Sequence, residues 1–166
     1  MILSLNISAI QYRRHEFVNM ILGMIRKYNV SPEEIELEIT ESVLIENFHE
    51  VVEKLHVLRA HGIRISLDDF GTGYSSLSYL KGLPIDTLKI DKSFIDAMLS
   101  DENARVIIES IIYMVRKLGF ETVAEGVESK EQYEYLEGIG CDCIQGFFMG
   151  KPMPGNEIQE LLSELI

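Results

Sequence analysis

Six short stretches in which apolar and polar residues alternate one for one are separated by longer stretches whose apolar residues recur every three or four positions. That pattern admits few folds. The alternating stretches fall at residues 2–8, 35–40, 63–68, 88–91, 122–125 and 143–148 and read as strands. Phe17, Met20, Ile21, Met24, Ile25 and Tyr28 mark one amphipathic helix, and Phe48, Val51, Val52, Leu55 and Leu58 a second, closed by Gly62. Val106, Ile107, Ile111, Met114, Val115 and Leu118 mark a long third, closed by Gly119. Ser129 with Gln132 forms a capping-box pattern for the next, which ends near residues 138–140. Asn156 reads as the cap of a last helix burying Ile158, Leu161, Leu162 and Ile166. A short helix up to Leu80 is expected after a turn at residues 71–76, with Pro84 in the loop out of it. Helix-length crossovers between successive strands permit parallel pairing, so the expected class is α/β. No linker or low-complexity tract divides the 166 residues, and a single domain over 1–166 is expected.

The strand faces differ in kind. Leu3/Leu5, Leu37/Ile39, Ile65/Leu67 and Leu88/Ile90 form apolar faces suited to packing against helices. The opposite faces collect Asn6, Glu38, Asp68, Lys89 and Gln145, each near the C-terminal end of its strand. In a parallel barrel that end is where active sites are built. Glu125 also ends a strand, but its parity pairs it with Val123, so alternation alone does not place it cleanly. Asp68 and Asp69 are adjacent, and neighbouring strand residues point to opposite faces. The two share a site only where the pleat ends, as Gly71 and Gly73 suggest. Deprotonated together, they call for a cation; the alternative is a solvated acidic turn.

Several carboxylates with one amide suit a hard divalent ion such as Mg²⁺ or Mn²⁺. Asp68 is placed to bridge two such ions, with Asp69 on one of them. Lys89 reads either as a group that holds a nucleophile or phosphate, or as a salt bridge to an acid on the next strand. On chemistry alone phosphoester hydrolysis leads, with a Mg²⁺-dependent lyase or an enolase-like reaction behind it. The net charge of −12 argues against nonspecific nucleic-acid or acidic-membrane binding, which needs a basic surface. His15, His49, His56 and His61 lack ligand spacing and read as surface residues. Cys141 and Cys143 are the only cysteines, which favours a reducing compartment, the cytoplasm. No apolar run is long enough for a membrane span.

The motifs then become specific. Asn6-Ile7-Ser8, the run Glu36 to Ser42, the run Asp68 to Ser76, Leu88-Lys89-Ile90-Asp91, Ala124-Glu125-Gly126-Val127-Glu128 and Gln145-Gly146 occur in this order. Together they closely resemble the EAL-domain cyclic di-GMP phosphodiesterases over nearly the whole chain. The resemblance implies a TIM-like barrel, with an antiparallel first strand, that hydrolyses the cyclic dinucleotide to a linear one using Mg²⁺ or Mn²⁺. By position, Asn6, Glu38, Asp68 and Asp69 correspond to metal ligands, and Glu125 to a carboxylate serving the second metal or general-base work. Lys89 corresponds to the lysine that contacts the nucleophilic water. Glu41 corresponds to the anchor of the loop after the aspartate pair (residues 70–76), which links the site to the family's dimer interface. Asp91, Glu128 and Gln145 correspond to supporting positions. Read without the family, Glu41 is an acid favouring a helix start and Glu128 a surface residue.

The resemblance begins at the family's third strand, so the two strands that carry the Glu-Ala-Leu motif fall outside these 166 residues. A full (β/α)₈ barrel takes roughly 250 residues. The expectation is therefore an incomplete barrel of about six strands, whose outer strands invite pairing with a second copy. Expected partners are cyclic di-GMP, a second copy of the chain, and the sensory or diguanylate-cyclase domains to which such modules are joined, with no DNA. The alternatives are a non-catalytic cyclic di-GMP receptor and a dimerisation module.

Overall fold

The computed structural model describes residues 1–46, 48–71 and 80–164. The expected turn and short helix at residues 72–79, and Ile166, lie outside that range. Six strands form one sheet in chain order: β1 (Leu3–Ile7), β2 (Ile35–Thr40), β3 (Arg64–Phe70), β4 (Thr87–Ile90), β5 (Glu121–Ala124) and β6 (Cys143–Ile144). Every pairing is parallel. Between strands lie helices α1 (Ala9–Tyr12), α2 (Phe17–Tyr28), α3 (Glu41–Glu46), α4 (Phe48–Ala60), α5 (Lys92–Ala97), α6 (Glu102–Leu118) and α7 (Lys130–Gly138), with α8 (Gly155–Glu164) after β6. A sheet in which each strand is added beside the last, through a helix each time, winds as a barrel does. Here the described strands make an open half-barrel.

One face of the sheet is apolar. Leu37, Ile39, Ile65, Leu67, Leu88, Ile90 and Ala124 pack into a single core with Phe17, Leu55, Leu58, Ile95, Ile108, Val115 and Leu136 from the helices. The other face lines a cavity of about 270 Å³ bordered by Glu36, Glu38, Arg64, Lys89, Glu121 and Gln145. Two aspartates placed just before a strand brace the lower rim. Asp86 accepts from the Ile65 amide at 2.9 Å, and Asp142 accepts from the amide of Thr122 at 2.9 Å and from its hydroxyl at 2.7 Å.

Three expectations need correction. Leu3 and Leu5 do not pack against helices: they are 52% and 39% exposed, because β1 is an outer strand with a neighbour on one side only. The sixth strand is two residues long rather than six. After Ile144 the chain is drawn onto the loop beyond β5, where Val127 donates to the Gln145 carbonyl and Phe148 to that of Val127. The last helix begins at Gly155, ahead of Asn156, and leaves Ile158 and Leu161 41% and 48% exposed instead of buried. Short helices α1, α3 and α5 were not anticipated, being too brief to show a period; α1 is held by a capping box of Ser8 and Gln11. All four histidines are exposed, as expected.

Candidate metal centre

The aspartate pair is built by a bulge. Along β3, Leu67 lies beside Leu88 and Phe70 beside Ile90, so three steps on β3 match two on β4. The extra residue is absorbed at Asp69, whose φ of 57° lies in the left-handed region that aspartate tolerates better than most residues. The Asp69 amide donates to Asp68 Oδ1 at 3.0 Å. The bulge therefore interrupts the pleat at Asp69 itself, two residues before Gly71, which is how adjacent carboxylates come to share one site. Each of Asp68, Asp69 and Glu125 offers an oxygen within 4.8 Å of the other two.

Lys89 stands at the middle of this group, only 4% exposed. Its ammonium lies 2.6 Å from Glu125 Oε1, 2.9 Å from Glu38 Oε1 and 3.4 Å from Asp68 Oδ1. Burial opposes its charge, but the hydrogen bonds it donates to Glu125 and Glu38, with the charges of Glu125 and Asp68, hold it well above the ordinary lysine value. Glu125 responds the other way: burial raises its carboxyl, and the Lys89 ammonium only partly offsets this. Glu125 thus faces the interior, and so does Val123, which lines the same cavity; the parity that left it unplaced in the sequence reading was correct. The Asp69 carboxyl is raised by burial and then by the charges of Asp68 and Asp91.

The other expected positions divide. Asn6 pairs with Glu38 across β1 and β2 but is exposed on the outer strand. Gln145 is exposed and lines the cavity with Glu38 and Lys89. Glu41 is buried at the start of α3, one residue after Thr40, the partner of Asp68 across β2 and β3. Asp91 caps α5, accepting from the Ser93 amide at 3.0 Å and from its hydroxyl. Glu128 is exposed and pairs with Lys92 at 2.8 Å, away from the carboxylate cluster.

Sequence reasoning missed a second polar layer beneath this one. Glu36 accepts from Ser4 Oγ at 3.1 Å, Thr87 Oγ1 at 2.8 Å and Arg64 Nε at 3.4 Å. Arg64 also reaches Thr87 at 3.2 Å and Glu121 at 2.5 Å. The signal was present: Glu36 has the parity of Glu38, one step lower, and Arg64 that of Asp68, two steps lower and level with Glu36.

The residues fit a divalent cation. Three carboxylates face one ammonium with Asp69 beside them, Asp69 and Glu125 are raised by burial, and every donor is a hard oxygen.

Comparison with known proteins agrees with this arrangement. A sequence profile of the EAL domain matches residues 1–152. The oxygen sensor protein DosP of Escherichia coli K12 is 38% identical over 164 residues, covering 99% of this chain and 20% of that protein. MucR of Pseudomonas aeruginosa, named a bifunctional diguanylate cyclase/cyclic di-GMP phosphodiesterase, is 39% identical over 94% of this chain and 23% of that protein. The solved PaMucR phosphodiesterase in complex with c-di-GMP superposes with a TM-score of 0.91 at 39% identity, over 95% of this chain and 64% of that one. The manganese/cy-diGMP complex of Klebsiella pneumoniae BlrP1 gives 0.81 at 29% identity, over 88% of this chain and 38% of that one. This chain thus spans about a fifth of the length of the curated relatives it matches. With a half-barrel whose C-terminal rim gathers the acids, and a profile match along most of its length, the chain belongs to the EAL domain family.

Proposed function

We propose that this chain is the catalytic-face portion of a metal-dependent cyclic di-GMP phosphodiesterase, with residues 1–166 forming part of one EAL domain. The observation that carries the reading is the buried Lys89 ammonium held by Glu38, Asp68 and Glu125 beside a bulged aspartate pair. Asn6, Glu38, Asp68, Asp69 and Glu125 would hold Mg²⁺ or Mn²⁺. Bound there, the ions supply Lewis-acid polarisation of the phosphodiester and lower the pKa of the attacking water. Glu125, on a carboxyl already raised by burial, would take up the proton that the attacking water gives up and return it to the leaving sugar oxygen as its bond to phosphorus breaks. Lys89 Nζ orients that water and offsets charge on the phosphate. Catalytic roles therefore fall to Glu125, Lys89 and Asp68. Glu41 anchors the loop beyond Asp69, while Asp91, Glu128 and Gln145 support the rim.

The outer strands β1 and β6 and the exposed Leu3, Leu5, Phe147 and Met149 beside them support association with a second copy. Among the described residues no helix is long and apolar enough to cross a membrane; with two unpaired cysteines, a cytoplasmic setting is proposed.

The test is cyclic di-GMP turnover with Mn²⁺, alongside Asp68→Asn. Formation of the linear dinucleotide that disappears in the variant is the expected result. Binding of the dinucleotide without turnover, unchanged by Asp68→Asn, overturns the enzymatic reading in favour of a receptor.

A further inference from the structure

The rim that carries the carboxylates is stitched across three strands by contacts that only glycine permits. Gly71, two residues beyond Asp69, has a φ of 98°, and a Cβ there would sit 2.7 Å from Cε2 of Phe94. Gly126, next to Glu125, has a φ of 71°, and a Cβ there would meet the Lys92 stem, with Cδ at 2.6 Å. Phe94 and Lys92 both belong to the first turn of α5, which follows β4 and Lys89 directly. One short helix therefore touches the loop after the aspartate pair on one side and the loop after Glu125 on the other.

The second of these contacts is reinforced. Lys92 Nζ reaches Glu128 at 2.8 Å and Asp96 at 2.9 Å. Gln132, nearly buried, donates from Nε2 to the Ile95 carbonyl at 3.1 Å. Its Oε1 accepts from the amides of Glu128 at 2.8 Å and Ser129 at 3.1 Å. The 126–129 loop is thus tied to α5 by a packed stem, an ion pair and a buried amide.

We infer that the first turn of α5 is a wedge, in which Lys92 and Phe94 act as positioning residues that set the separation of the Asp68/Asp69 and Glu125 carboxylates. This rests on the metal-site reading above. The wedge works by shape. The atoms of Lys92 that meet Gly126 are its Cβ, Cγ and Cδ methylenes, while the side chain as a whole is 44% exposed, so the stem carries the role and the charge is secondary. Neither residue reaches a ligand oxygen, so their effect on metal binding passes through the two loops alone.

The probe is Mn²⁺ alone, with free ion counted by its paramagnetic resonance signal as each purified chain is titrated, and thermal unfolding of the metal-free chain followed in parallel. Lys92→Ala and Phe94→Ala are expected to weaken Mn²⁺ binding about tenfold, the lower range for groups that orient metal ligands. Lys92→Met and Phe94→Tyr, which keep the stem and the ring, should stay within about twofold of wild type. A merely structural role would lower the metal-free melting temperature and leave affinity unchanged. Alanine variants that bind Mn²⁺ like wild type overturn the proposal, as does a Lys92→Met variant as weak as Lys92→Ala. Should Phe94→Ala fail to fold, the Lys92 pair, at a surface position, still decides the matter. A wild-type chain that takes up no Mn²⁺ overturns the metal site itself, a result separate from any difference among variants.

Discussion

Asp69 concentrates the conflict between stability and site chemistry. Its backbone occupies the left-handed region, and its carboxyl is raised by burial and by the charges of Asp68 and Asp91. A raised carboxyl means the folded state resists ionisation. Folding is therefore penalised at pH above the folded value, and the penalty fades as pH falls toward the unfolded value near 4. Asp69→Asn keeps the shape, suits the positive φ and removes the charge. In metal-free buffer at neutral pH it should melt roughly 1–3 °C above wild type, a modest gain for a chain of this length. The gain should shrink as the pH is lowered toward 4, and Mn²⁺ binding should weaken in the same variant. Thermal unfolding at a series of pH values checks this; an Asn variant less stable than wild type at neutral pH would show that the charge is not what strains the site. Proteins that hold a functional group at some cost in stability behave in this way.

Among the elements, the turn after β6 depends on closeness more than on dihedral freedom. A Cβ at Gly146 would collide with the Val127 backbone, with its carbonyl carbon at 2.7 Å and its nitrogen and oxygen nearer still. Backbone cannot swing aside as the end of a side chain can. Gly146→Ala is expected to destabilise by about 3 kcal/mol, the upper range for overpacking, measured as a lower denaturant midpoint at unchanged slope. This element also shows where the sequence stopped being legible. Alternation read the four strands β2 to β5 well because each has neighbours on both sides and a buried apolar face. It placed β1 as a strand but not its burial, because Leu3 and Leu5 have no cover on one side, and it overran β6, where hydrogen bonds to Val127 outweigh the apolar run through Phe148. Glu38, Asp68 and Lys89 were legible as a set from strand parity, whereas Glu125, which meets them through Lys89, was not placed by alternation alone. The bulge that makes Asp69 join them was not legible, because one inserted residue is a matter of pairing with β4 and leaves no period in its own strand. Short α5 was hidden for a related reason: its six residues are held by the Asp91 cap and by Gln132 from another helix.

At the scale of the whole chain, the sheet separates an apolar side, packed by helices, from a concave side with two layers of ionised groups. The lower layer is closed on itself: Arg64 lies between Glu36 and Glu121, and Ser4 and Thr87 fill the remaining positions on Glu36. The upper layer is left with an excess of acid, since one lysine faces Glu38, Asp68 and Glu125, with Asp69 beside them. Removing one partner from such a group leaves the rest uncompensated, and burial makes that costly. A divalent cation bound only by the folded form should relieve the excess and add stability in proportion to RT ln(1 + [L]/Kd). At Mn²⁺ near one hundred times Kd this amounts to about 2.7 kcal/mol, or a rise of roughly 5–10 °C in melting temperature. The rise should vanish with a chelator and in Asp68→Asn. It should persist in Arg64→Lys, where the lower layer is altered and the upper one is kept. A melting temperature indifferent to Mn²⁺ while the chain is folded would mean that Lys89 alone satisfies the acids, and that the concave face holds its charge without an ion.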